Sequence, residues 1–198
     1  MVNYSEGADH CRTNSNRLET TARIILKDED GTDSFGLFLY HIAYEEMAKA
    51  VFCLFVERGW VTKDFVSQIF RRHEAKIFLF EEIFRSFELN KGQGYLGGKK
   101  IGEISLEDFM KEHKPNILKH RKKTNDFLYV GNTSPWNVPS VSISNVKDIE
   151  IEIRKKTQAL DIIFEFLRKK MEGNAFFVNN FQFIENEQGN FSIQWDSA

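Results

Sequence analysis

Apolar side chains recur every three or four residues over most of the chain, and that spacing predicts a protein built from helices. Leu18, Ala22, Ile25 and Leu26 share one stripe and predict a first helix over Ser15 to Lys27. Asp28 to Asp33, polar and containing Gly31, breaks it. A second helix is predicted from about Ser34 to Arg58, with Gly59 as the residue that ends it. Thr62 is the N-cap expected for a third helix reaching about Leu89, with Phe65, Ile69, Phe80, Phe84 and Phe87 along its apolar side.

The pattern then loosens. Asn90 to Gly102 carries five glycines and reads as a flexible surface loop; it has no Gly-x-x-x-x-Gly-Lys-Ser/Thr run to make it a phosphate cradle. Ser105 and Asp108 form a variant capping box that starts a fourth helical region. Pro115 interrupts it, and a new helix is expected from there to about Tyr129. Gly131 to Ser142 is irregular, with two prolines and a tryptophan. Ser144 caps a long last helix to Glu172, stopped by Gly173, whose buried face is Ile149, Ile153, Leu160, Ile163, Phe164, Leu167 and Met171. Beyond it the period changes to two. Phe181, Phe183, Phe191, Ile193 and Trp195 alternate with polar residues around Gly189 and Asn190, which predicts a β-hairpin laid over the bundle. The expectation is one helical domain over residues 1–172 with a hairpin tail over 173–198.

Composition agrees with a folded domain. The chain has 198 residues, 41% hydrophobic and 28% charged, enough to bury a sizeable core. Nineteen phenylalanines against three prolines favour long helices that bury aromatic stripes. A net charge of -2 supplies no global field for nucleic acid, so any RNA contact must be local. The dense basic stretch is Lys111 to Lys123, with Lys111, Lys114, Lys119, Arg121, Lys122, Lys123 and two histidines. A solvated helix face is the plainer account of it, since most charge runs are that.

Cys11 and Cys53 form no motif with each other, and Cys53 reads as a small buried hydrophobe in the run Val51 to Val56. Two isolated cysteines suit a reducing compartment. Met1 to Arg12 lacks the apolar stretch of a signal peptide, and no apolar run approaches the ~20 residues of a membrane span. A cytoplasmic protein without membrane contact is expected.

Three elements could carry chemistry. On the second helix, Glu45 and Lys49 stand at i, i+4 and can pair, with Glu46 beside them. Apolar residues flank them on both sides, which makes this helix central and obliges its charges to find partners or line a cleft. On the third, Arg72, His73 and Lys76 share a face. Cations beside an imidazole keep it neutral, and such a set can bind phosphate and take a proton from a hydroxyl. The alternative is that His73 only bridges to Glu45 or Glu46. Tyr129, near a helix end, could present its hydroxyl to a polar site or simply pack with Leu128 and Trp136. The short connection Gly59 to Thr62 sets the second and third helices antiparallel. Lys49 and Arg72 then lie at similar heights, and Glu45 or Glu46, Lys49, Arg72, His73, Lys76 and Tyr129 are expected to converge.

In series, Glu45-Glu46-x-x-Lys49, Arg72-His73-x-x-Lys76, Leu128-Tyr129-Val130, Trp136 and Pro139 resemble the AbiV-type abortive infection proteins of the HEPN superfamily. The likeness runs from about Asn14 to Pro139. It implies an all-α, HEPN-like antiparallel helical bundle, a phage-defence role and a homodimer, which the surplus of aromatic residues also favours. HEPN ribonucleases cleave RNA without metal through an arginine followed, after four to six residues, by a histidine. No arginine here has that histidine; Lys114 to His120 has the spacing, but lysine lacks the bidentate fork of arginine. Gly131 also stands where relatives commonly carry an acidic residue.

Two functions follow. The first is an effector that blocks gene expression or translation by acting on RNA. There His73 is the proton-transfer base, Arg72 and Lys76 hold the phosphate, Glu46 orients them, and Tyr129 completes the site. Lys49, Arg121, Lys122 and Lys123 would then contact RNA or a partner, and a phage-encoded protein would be the trigger. The second is a non-catalytic helical module that binds a viral or cellular protein, in which the same residues hold the bundle together. Neither needs a cofactor, and no ligand set for a metal stands out.

Overall fold

A computed structural model describes residues 3–27, 33–59, 61–72, 95–96, 99–100, 107–108, 111, 114–115, 143–169, 181–185 and 191–195. Four helices are described by their bounds: α1 (Tyr4–Ile25), α2 (Asp33–Glu57), α3 (Lys63–Phe70) and α4 (Ile143–Lys169).

Helix α1 begins eleven residues before the expected Ser15. Asn3 caps it, its Oδ1 accepting from the Glu6 N–H at 3.2 Å, and Glu6 puts a carboxylate against the positive end of the helix. The residues it buries are Ala8, Ser15 and Ala22. They repeat every seven residues but are too small to register as an apolar stripe, which is why the first turns escape the pattern. Small side chains let α1 approach α2 closely. The Ser15 hydroxyl donates to the Ala43 carbonyl at 2.7 Å, and a Cβ on Gly36 would stand 2.6 Å from Leu26 Cγ.

Helix α2 is buried on nearly every side, from Leu37, Tyr40 and Ala43 through Met47 to the unbroken stretch Ala50 to Val56. A helix buried nearly all round belongs at the centre, and this one is the central helix expected from its flanks. It ends at Gly59, whose φ of 70° is open to glycine without strain. Thr62 then accepts from the Phe65 N–H at 3.2 Å and starts α3, as its position predicts. The continuation to Leu89 does not hold as one helix. α3 stops at Phe70, with Arg71 in a turn and Arg72 outside the helix. Arg71 and Arg72, which follow Phe70, are polar and exposed, so extending α3 over them would bury nothing to offset its ordering entropy. The rest of that predicted helix lies outside the described residues.

Helix α4 buries Ile153, Thr157, Ala159, Leu160, Ile163, Phe164 and Leu167, largely the face expected; Met171 lies outside the described residues. Specific pairs fix its direction. Ser5 and Asp9 meet Arg168, Arg12 meets Asp161 and Glu165, and Glu19 meets Arg154, so α1 and α4 run antiparallel. Tyr40 meets Glu150 and Arg58 meets Leu167, so α2 and α4 run parallel. α1 and α4 both pack on α2 and reach each other mainly through long side chains.

Those side chains form two clamps. At one end Arg12 bonds Asp161 at 2.7 Å and Glu165 at 2.5 Å, while Arg12 and Arg168 stand 4.8 and 5.5 Å from the ring centroid of buried Phe164. Burial opposes the Arg12 charge, yet its bonds to Asp161 and Glu165 leave its pKa raised. At the other end the Tyr40 hydroxyl donates to Glu150 at 3.1 Å, beside Arg23, Glu19 and Arg154. Burial, then the Glu150 charge, push the Tyr40 hydroxyl up to about 12 from 10.0. A proton held more tightly in the folded state gives stability that is complete below pH 10 and lost as pH rises toward 12. Over that window the wild type should lose roughly 2 kcal/mol more than Tyr40→Phe in denaturant titrations. Equal losses would exclude Tyr40 as the alkaline-sensitive group.

Outside the helices, Tyr95–Leu96 (β1) pairs antiparallel with Lys99–Lys100 (β2). The glycine-rich segment expected to be a loop therefore contains a minimal strand pair, and strand is not confined to the chain beyond Gly173. Leu96 pairs with Lys99 across only Gly97 and Gly98, the residue types that tight hairpin turns require. Phe181–Glu185 (β3) pairs antiparallel with Phe191–Trp195 (β4), setting Phe181 opposite Trp195 and Phe183 opposite Ile193. No central sheet occurs among the described residues.

Candidate functional site

On α2, Ala43 carries the contact to α1 and Tyr40 the contact to α4. His41, Glu45 and Lys49 step by four residues, so helical geometry stacks them on one face. Glu46 borders that face. Glu45 is only 2% exposed, a buried carboxylate on the central helix. His41, Glu46 and Lys49 are half-buried. The expected pairing of Lys49 with Glu45 is replaced by an ion pair with Glu46, three residues away, the two side chains 20% and 14% exposed. Both spacings place charges on one face, and the structure selects the shorter.

The stripe continues one turn to Cys53. Its thiol is hydrogen-bonded to Cys11 across the α1–α2 seam, and that bond, then burial, push the Cys53 thiol up against the opposing pull of Lys49. Read from the sequence these two cysteines were unrelated; helix packing makes them neighbours.

The other expected site residues are placed unevenly. Arg72 is exposed just beyond α3, and no described contact joins it to the α2 stripe. His73, Lys76, Tyr129, Arg121, Lys122 and Lys123 lie outside the described residues. Of the basic stretch, Lys111 and Lys114 are helical and exposed. His41 escaped the sequence reading, although His41-x-x-x-Glu45-x-x-x-Lys49 is a spacing signal. Among the described residues no group of three or more His, Cys, Asp or Glu could hold a metal ion, and no helix is long and apolar enough to cross a membrane.

A helical bundle whose polar residues collect on one side of a buried central helix defines the class. Comparison makes it specific: residues 3–159 match the HEPN_AbiV family model, AbiV, and the chain belongs to this AbiV-type HEPN family. The match spans α1, α2, α3, most of α4 and every residue of the candidate site. No curated protein and no solved structure matches the chain.

Proposed function

We propose that the protein is an abortive-infection effector that blocks gene expression or translation by acting on RNA, with the polar stripe of α2 as one wall of its site. Family membership points to abortive-infection defence. The observation that carries the site is the half-buried Glu46–Lys49 pair beside buried Glu45 on the central helix. Charges held this far from water on a helix that could bury apolar residues cost stability, so a functional reason for them is favoured. In this reading Lys49 and Lys76, with Arg72, hold a phosphate group. His73 moves the proton of the attacking hydroxyl, Glu46 sets the lysine, and Tyr129 donates to the site. Arg121, Lys122 and Lys123 extend the contact along the RNA backbone. The active form is a homodimer in the cytoplasm, and β3 and β4 form a hairpin packed on the bundle. A phage-encoded protein triggers the response.

His73→Ala should abolish growth arrest and RNA loss on expression while leaving the helical circular dichroism unchanged. A variant that arrests growth as the wild type does would remove His73 from the mechanism. A second reading, a non-catalytic module that binds a viral or cellular protein, draws on an exposed apolar group: Ile24 is 66% and Phe35 49% exposed, with Phe35 stacked on Phe38 at 6.4 Å. Loss of protection in Phe35→Ser with His73→Ala still active would favour it.

A further inference from the structure

Cys11 and Cys53 are both free thiols, and the Cys53 thiol interacts with that of Cys11 between α1 and α2. The Cys53 Sγ reaches the α1 backbone where Gly7 leaves room, 3.8 Å from where a Cβ would stand. Cys11 lies one turn further along the same face of α1. The two differ in access. Cys53 is 3% exposed, whereas Cys11 is half-buried and the more accessible of the two.

We propose that Cys11 and Cys53 are a redox pair that closes into a reversible disulfide, stapling α1 to α2, when low-molecular-weight disulfides accumulate. Cys11, as thiolate, attacks one sulfur of the small disulfide. A mixed disulfide forms, and one small thiolate leaves and takes up the Cys11 proton. Cys53 gives its proton to solvent and attacks Cys11 Sγ, which breaks the mixed disulfide and releases the second small thiolate to be protonated in turn. The protein loses two protons and two electrons, and the small disulfide gains both as two thiols. Access makes Cys11 the first sulfur to react, and contact makes Cys53 the resolving one. The bridge falls one turn from Lys49, so it fixes the end of the polar stripe against α1.

The test uses the full chain, reduced and then treated with oxidised glutathione. Intact mass should fall by two hydrogens, iodoacetamide should find neither thiol, and a linked Cys11–Cys53 peptide should appear and vanish on reduction. The melting temperature of the oxidised form should rise by roughly 5–15 °C, as expected for a bridge that closes a long loop. Cys11→Ser should abolish the bridge without altering the fold of the reduced protein. A stable glutathione adduct, two thiols still open to iodoacetamide, or a disulfide-linked dimer would each overturn the proposal.

Discussion

Phe164→Ala should be the most destabilising single truncation among the residues of α4, costing about 4–7 kcal/mol in denaturant titrations. Emptying a core site of its phenyl ring costs ~3–5 kcal/mol, and each arginine that loses a ring face adds ~0.5–1 kcal/mol. Phe164 is 1% exposed, and two arginines anchored to opposite helices use its ring. Arg12 reaches it from α1, held by Asp161 and Glu165, and Arg168 reaches back to Ser5 and Asp9. Removing the ring therefore loosens both sides of the clamp between α1 and α4. Domains of this size hold ~5–15 kcal/mol in total, so the variant should sit near its folding threshold at growth temperature. Phe164→Leu separates the two contributions. It keeps most of the volume and loses only the ring, and about 1–2 kcal/mol is expected. An alanine variant that costs less than ~2 kcal/mol would mean that the core collapses around the gap and that the ring is not what joins the helices.

What the sequence made legible follows from how each contact is encoded. The central place of α2 was readable because large apolar residues stand on both sides of Glu45, Glu46 and Lys49, and those residues are buried. The caps at Thr62 and Gly59 were readable because capping is local chemistry. The seam of Ala8, Ser15 and Ala22 was not, since it works by the smallness of its side chains, which hydrophobic periodicity does not weigh. The bond from Arg12 to Asp161 spans 149 residues, and nothing local in either segment announces it. The same limit hid the approach of Cys11 to Cys53. On the candidate site, the four-residue step found Glu45 and Lys49 on one face but not which carboxylate Lys49 would take. That choice depends on side-chain torsions and on what covers Glu45, neither of which is written in the spacing.

Exchanging the two charges, Glu46→Lys with Lys49→Glu, should restore stability and leave growth arrest lost. Lys49→Ala alone strands Glu46, whose side chain is 14% exposed, and should cost about 1–3 kcal/mol. The exchange rebuilds an ion pair on the same turn. It reverses the order of the charges along the helix, a penalty of only a few tenths of a kcal/mol, ~0.2–0.5. Denaturation midpoints of the exchanged variant should therefore return close to the wild type. Function responds to a different quantity. A pair that only ties down one turn of α2 is indifferent to which residue bears which sign, and the exchanged protein would arrest growth and restrict phage plaques normally. A lysine that meets a phosphate has to present its cation at position 49, on the face shared with His41 and Glu45. In the exchanged variant that position carries a carboxylate, which repels the phosphate. Plaque counts and labelled amino-acid incorporation, measured beside the denaturation midpoint, read the two quantities separately. A stable exchanged protein without activity places Lys49 in the site; a stable one with full activity reduces the Glu46–Lys49 pair to a structural tie.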